Sequence, residues 1–503
     1  MKKHELKRLI QIEKEIKKIA VEECGLLTTD IVFEVVPARK MIEAMAYQFP
    51  VNFSHWSFGR DYDRHRTIYE HTGVGIPYEQ VWNFEIPKAL LVDTNPLPLN
   101  VLVIAHVYGH VDYFLGNRYL QHGRSFSDIA EEARYAATRF KEYEVRFGIE
   151  WVEKVIEAGM ALQWHQPLDP FLEEPREEDA RAYLMKLEKE KMRYVQTHAV
   201  SSNKKKTEQE LRRLEAQLKI LAHKTPPEPV YDILQYIIKH APRLKEEERD
   251  ILTVIRNQAR ALAPNRRTKL LDEGWATYWH TRIMRRLFEK GLLSAEEHGV
   301  FLDYHAKVTQ ASKRQFNVYN IGPALFEYIK ERWDRGQFGK EYEECRNPFE
   351  RNRWDTKVNR GTEKIFEVRS SYTDRMAAEE FFTPDFIRAC ELYIYEDRQD
   401  GLGNIVSVVV EKRPAEVQKI FKRIYALYGT PQICVIDGNY KDKGFLYLAH
   451  KPFGDGELDQ TYRKGALEYV YACWKRPVFL ETQIGKDVVV CSFDGTKHKI
   501  VPK

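Results

Sequence analysis

The chain has 503 residues, 43% of them hydrophobic and 31% charged, and its 79 Lys and Arg against 75 Asp and Glu leave a net charge of +4. That length calls for more than one domain, and the composition is that of a packed globular protein rather than a disordered one. Charge this evenly balanced offers no concentrated basic face, so the expectation is a protein that does not bind nucleic acid.

The start carries charge throughout its first twenty residues and has no apolar core of a signal peptide. No stretch approaches 18 uninterrupted apolar residues, so no membrane insertion is expected, and the localisation that follows is cytoplasmic. The six cysteines are scattered without a CxxC pair, which reads as reduced thiols rather than a cysteine-based zinc site.

In chain order, Leu6, Leu9, Ile12, Ile16 and Ile19 recur at steps of three and four, which predicts an amphipathic helix over 4–22. A short β-like run at 30–36 and a helix at 41–49 follow. Residues 50–98 are rich in aromatics, Gly and Pro and read as irregular. Residues 99–117 are a strongly apolar helix, and 126–147 a helix charged on one side. Pro167, Pro170 and Pro175 break the pattern. A highly charged helical insertion occupies about 176–228. Its run Lys204-Lys205-Lys206 reads as a solvated loop. Helices are predicted over 230–240, 244–263, 268–290, 301–307 and 323–336. Near residue 400 the character changes to β-α-β-β-α-β with one extra strand, the order of a ferredoxin-like domain. The fold class is therefore mostly α, within α+β. A large helical domain spans 1–397, with a small C-terminal ferredoxin-like domain over 398–503.

The chemistry centres on His106-Val-Tyr-Gly-His110. Residues four apart share a helix face, with Cβ atoms about 5–6 Å apart, so two imidazoles can converge on one ion. Their surroundings are apolar, and a buried imidazole needs a partner or a metal. Gly109 is costly inside a helix, which implies that something packs closely against it. Further on, Asp272-Glu273-Gly-Trp-Ala-Thr-Tyr-Trp-His280 puts acidic residues and a histidine in apolar company. Zincin-type zinc peptidases take a third ligand, a Glu often followed by Gly-x-Ala, from such a downstream helix. Glu273 and His280 lie ~10.5 Å apart along the helix axis and do not reach one ion together. Hence His106, His110 and Glu273 are assigned as metal ligands, with zinc or another divalent metal as cofactor. His280 is left for catalysis, substrate contact or a second metal.

The residue after the first histidine, where zinc peptidases carry their general base, is Val107, which cannot take a proton. Glu79, Asp112 and Glu85 are the alternative bases, and Asp112 is equally a candidate for an orienting role.

Five segments together resemble the stage V sporulation protein R family. They are Ser54-His55-Trp56-Ser57-Phe58-Gly59-Arg60, Tyr78-Glu79-Gln80-Val81, the stretch around His106 and His110, Glu273 to His280, and Asn317-Val-Tyr-Asn-Ile-Gly322. In the last, Val318 stands where the family has proline. The resemblance spans roughly residues 5–395. It implies a bacterial, cytoplasmic protein that in spore formers is linked to assembly of the spore cortex, a peptidoglycan layer. His55, Trp56, Arg60 and His305 are the candidate substrate-binding residues.

Two readings stay open. One is a metal-dependent hydrolase of an amide or peptide bond, peptidoglycan-related. The other is a non-enzymatic assembly or regulatory protein of sporulation or stress, with protein partners and structural histidines.

Overall fold

A computed structural model describes residues 2–47, 55–72, 79–124, 129–167, 170–171, 177–198, 208–215, 226, 228–311, 316–401, 403–452 and 456–503. Much of the charged insertion, including the lysine run, lies outside them. The described chain is mostly helical with a few small sheets. Two compact units form. Unit 1 comprises Met1–Ala137 and Arg260–Tyr428, and unit 2 comprises Thr138–Ala259 and Gly429–Lys503.

Unit 1 is built around the histidine helix, Leu97–Gly116, which is buried from Pro98 to Phe114. A helix that is apolar on all sides has no face to offer water, so it becomes the centre of a bundle. Lys3–Lys18 lays its stripe of Leu9, Ile12 and Ile16 on it. The acidic helix, Lys269–Glu289, packs along its other side, and Val318–Asp334 packs on the acidic helix. Ala295–Thr309 and Gly361–Ser371 complete the surround.

Two glycine contacts set these spacings. A Cβ on Gly109 would lie 2.6 Å from the Cα of Ala276, and one on Gly274 would lie 2.6 Å from the Cα of Gly322. The helices touch backbone to backbone there, and Ala276 is the close neighbour that Gly109 implies. Asp374 fixes where the acidic helix begins. Its carboxylate accepts from the backbone N–H of Leu270 (2.8 Å) and Leu271 (3.0 Å), donors that a first turn otherwise leaves unpaired.

A three-stranded sheet lies beside the histidine helix. Its strands are β1 (Val32–Val36), β2 (Glu79–Trp82) and β3 (Lys88–Val92), in the order β1-β3-β2. β1 runs parallel to β3 and β2 antiparallel to it. Alternation sends Ala89 and Leu91 into the main core and Leu90 and Val92 into a small cluster with Met41 and Ala44. The described part of residues 50–98 is thus not irregular throughout. A helix, Gly59–Thr72, and two strands lie there. β2 is only four residues long and β3 is a continuous apolar run, so neither shows the period-2 pattern of a half-exposed strand. Unit 1 ends in a two-stranded ribbon, β4 (Ile394–Gln399) with β5 (Ile405–Glu411), and a helix, Pro414–Leu427, that adds Val417 and Phe421 to the core.

Unit 2 holds a five-stranded sheet of β6 (Ile433–Tyr440), β7 (Phe445–His450), β8 (Val478–Ile484), β9 (Asp487–Phe493) and β10 (His498–Pro502). The α+β character expected of the C-terminal part is present, but the ferredoxin-like order is not. The strands lie in sequential order, β10-β9-β8-β7-β6, and only β7 and β8 are parallel, linked through the helix Gln460–Trp474. The first strand and helix of the expected pattern, β5 and Pro414–Leu427, belong to unit 1. They are drawn there by Val417 and Phe421, which the unit 1 core buries completely. Ile149–Leu162 and Ile233–His240 contribute Leu162, Ile233 and Ile237 to the core under the sheet. Among the described residues no helix is long and apolar enough to cross a membrane.

Candidate metal centre

One turn of the histidine helix brings His106 and His110 edge to face, ring centroids 4.5 Å apart, with their Nε2 atoms 3.0 Å from each other. From the acidic helix, Glu273 Oε2 lies 3.4 Å from both Nε2 atoms. Its other oxygen accepts from Lys269 Nζ at 3.0 Å. From β2, Glu79 Oε1 lies 3.8 Å from His106 Nε2. Glu79, His106 and His110 offer ligand atoms that are all within 4.8 Å of one another.

The outer nitrogens are also held. His110 Nδ1 lies 2.7 Å from Asp272 Oδ1. His106 Nδ1 lies 2.9 Å from His280 Nδ1, and His280 Nε2 lies 3.1 Å from His305 Nδ1. Asp272 is an acceptor, so Nδ1 of His110 carries a proton, and in the neutral ring Nε2 is its lone-pair end. The chain of rings His106, His280 and His305 is satisfied in either direction, and where Nδ1 of His106 donates, its Nε2 is left a lone pair as well. In that form two lone pairs and a carboxylate oxygen face one another at 3.0–3.4 Å. Such a convergence is repulsive until a cation or a proton occupies it.

A proton answers the same crowding, and the electrostatics are those of the protonated cluster. Burial pushes the Glu273 carboxyl up, but the hydrogen bonds from His106 and His110 outweigh it and hold the group well below the usual carboxylate range. Burial likewise opposes the charge on His110, yet Asp272 and Glu273 raise it well above an ordinary imidazole. Burial, with the neighbouring His106 and His305, drives His280 well down, so it stays neutral. Burial raises Glu79, and Glu273 adds to the rise that His106 partly offsets.

The cluster opens into a cavity of roughly 670 Å³ whose walls include Val103, Arg266, Lys269, His305 and Tyr319. Tyr319 explains the segment 317–322. Asn317 caps the helix through the Tyr319 N–H (3.0 Å), and Gly322 sits against Gly274. The Tyr319 ring thereby lies 6.2 Å from His106. Its hydroxyl is bonded to Glu273, and burial, with that carboxylate, raises its pKa.

The structure brings His106, His110, Glu273, Glu79, His280 and His305 together. It does not bring Asp112 to them. Asp112 is fully buried and points away, accepting from the Leu27 N–H (2.7 Å) and the Trp275 indole (2.7 Å), with Arg369 Nε 3.3 Å away. Both oxygens are committed to these partners, so Asp112 is not available to the cluster as a base. Glu85 is exposed and off the cavity wall. His55 is buried against Trp56, ring centroids 5.5 Å apart, and Trp56 is half exposed, but neither lines the cavity. The side chain of Arg60 lies outside the described residues. Asp272, Lys269 and Tyr319 escape a reading by motif. Asp272 directly precedes Glu273 and Tyr319 sits inside the fifth segment, but only a contact gives either one a role.

The family model described as SpoVR like protein matches residues 3–429. The chain is 25% identical over 469 residues to the uncharacterized protein YcgB of Escherichia coli strain K12, covering 90% of this chain and 87% of that protein. No solved structure matches. The match ends where the sheet-bearing stretch of unit 2 begins, at Gly429. With the family pattern running through nearly all of unit 1 and every residue of the histidine–carboxylate cluster inside it, the chain belongs to the SpoVR family.

Proposed function

We propose that this protein is a metal-dependent hydrolase of an amide or peptide bond, acting in the cytoplasm on material related to sporulation or the cell wall. The observation that carries the reading is the triangle of potential ligand atoms, His106 Nε2, His110 Nε2 and Glu273 Oε2, with edges of 3.0, 3.4 and 3.4 Å. Zinc held at ligand distances of about 2.0–2.1 Å in a tetrahedron has ligands about 3.3 Å apart. The donor set, two imidazoles and one carboxylate, suits zinc and leaves a fourth position. The two helices then serve as zincin-like metal-site helices. The SpoVR family name supplies the sporulation setting.

A divalent cation bound there would supply Lewis acidity and lower the pKa of a nearby water. The remaining roles belong to the chain. Glu273, held anionic, is the ligand, and Glu79, raised by burial, is the carboxylate that takes the proton and returns it to the leaving amine. Asp272 fixes His110, and His280 with His305 fixes His106. The Tyr319 hydroxyl, bonded to Glu273, steadies that carboxylate. Glu79 fills the place left by Val107.

The test is metal analysis of the purified full-length protein beside His106→Ala, His110→Ala and Glu273→Ala. Near-stoichiometric zinc in the parent and loss in all three supports the reading. Equally negligible metal in all four removes it. Glu79→Gln keeps its metal and loses cleavage of a peptide pool prepared from digested peptidoglycan. Val107 favours a second reading, a non-enzymatic assembly or regulatory protein. In that case the histidine variants lose stability and there is no metal to lose.

A further inference from the structure

β2 has a strand neighbour on one side only. It pairs with β3, and among the described residues no strand meets its other edge. Glu79, Gln80 and Val81, whose side chains alternate between the two faces of the sheet, all line the metal cavity, so the cavity reaches around the open edge of β2. A second cavity of roughly 320 Å³, bounded by Trp82, Asn83 and Phe84, continues along the same strand. The two share Gln80, Val81 and Asn265, so one groove runs the length of β2. Ala261, Leu262 and Asn265 form its opposite wall. Four strand residues span roughly 13 Å, the length of about four residues of an extended peptide.

Two polar atoms in this groove have nothing to bond. Gln80 Oε1 and Asn83 Oδ1 are buried and have no hydrogen-bond partner among the described residues. A buried acceptor left unpaired costs about 1–3 kcal/mol, so such atoms mark a place where a donor belongs. Both are acceptors, and both sit along a strand edge that itself presents backbone N–H and C=O groups. A ligand answering this pattern carries N–H donors at strand spacing along an extended backbone.

We infer that the free edge of β2 seats an extended polypeptide, which adds to the sheet as a further strand and carries one of its peptide bonds past Glu79 into the His106–His110–Glu273 cluster. The inference rests on the hydrolase reading and sharpens it. The substrate class becomes a peptide held by its backbone rather than a small amide. Recognition through the main chain tolerates varied side chains, and the two cavities provide space for those that alternate toward either face of the sheet.

The test measures binding to the zinc-loaded full-length protein by calorimetry. The probes are acetohydroxamate, acetyl-trialanine hydroxamate, succinyl hydroxamate extended by trialanine, and backbone N-methylated versions of both peptides. The expected result is that at least one extended probe binds roughly ten-fold or more tighter than acetohydroxamate, and that N-methylation removes the gain. Gln80→Leu is expected to bring the ratio of extended to bare affinity toward one. If acetohydroxamate binds but neither extension improves on it, or the N-methylated probes bind equally well, the strand proposal is overturned and the metal reading stands. If zinc is not retained and acetohydroxamate does not bind, the metal reading falls and this proposal with it.

Discussion

Asp272 and Glu273 are neighbours in the chain yet hold opposite nitrogens of one imidazole: Asp272 Oδ1 is 2.7 Å from His110 Nδ1, and Glu273 Oε2 is 3.4 Å from His110 Nε2. The first contact sets which nitrogen carries the proton. The second uses the nitrogen that is left free. On the proposed metal reading, orientation and ligation therefore come from one dipeptide at the start of the acidic helix, whose position depends on the carboxylate of Asp374.

Asp272→Asn removes the charge that holds the proton on His110 Nδ1. Losing the group that orients a ligating imidazole typically weakens metal binding by roughly 10–100-fold. Competition against a chromogenic zinc chelator should show a loss in that range, while circular dichroism and the unfolding midpoint stay close to the parent. Unchanged affinity would mean that Asp272 does not orient His110.

Gly109→Ala sets two effects against each other. Replacing a helix glycine by alanine gains about 1 kcal/mol from propensity. Here the new Cβ meets the Ala276 Cα at 2.6 Å, a backbone atom that cannot swing aside. Overpacking costs about 1–3 kcal/mol and more where the backbone must shift, so the steric effect wins. Urea unfolding should show net destabilisation. A stabilised variant would show that the two helices are not in contact at this point.

Asp112→Ala tests the displacement of this residue from the base role. It strips the buried Arg369 of its counter-charge and leaves the Trp275 indole and the Leu27 N–H without this acceptor. Breaking a buried ion pair on one side costs about 3–5 kcal/mol. The variant should lose stability on that scale, and its folded fraction should still retain zinc. A stable protein that holds zinc but has lost activity would restore Asp112 as a base.

His165, in unit 2, titrates against stability. Burial lowers its pKa from 6.5 to about 4, and its Nδ1 has no partner among the described residues. Below pH 6.5 the unfolded chain takes up a proton that the folded chain refuses until about pH 4, so stability falls with acid across that window. Two and a half pKa units set the ceiling at about 3 kcal/mol. Chemical denaturation at pH 7 and pH 4.5 should show the loss, and His165→Leu should flatten it. An equally steep pH dependence in the variant would assign it to other groups.

Much of the architecture follows from local pattern. The continuous apolar run at 97–116 has no polar face, so it is buried wherever it packs, and its two histidines are four apart on any helix. The step from Glu273 to His280 is two helical turns, which separates a ligand from a supporting residue before any contact is known. Gly109 announces a close neighbour without naming it.

What local pattern leaves open is decided by long-range packing. Ala276 is that neighbour because three glycines, Gly109, Gly274 and Gly322, let three helices meet at backbone distance. Asp112 turns from the cluster because Leu27, Trp275 and Arg369 converge on it from three distant segments. Glu79 joins the histidines because β2 pairs with β3, and β5 leaves the C-terminal sheet because Val417 and Phe421, on the helix after it, belong to the other core. Helix and strand periodicities act over a few residues and are written in the chain. Which face meets which, and which carboxylate reaches an imidazole, depends on contacts between residues far apart in sequence, and only the folded structure decides them.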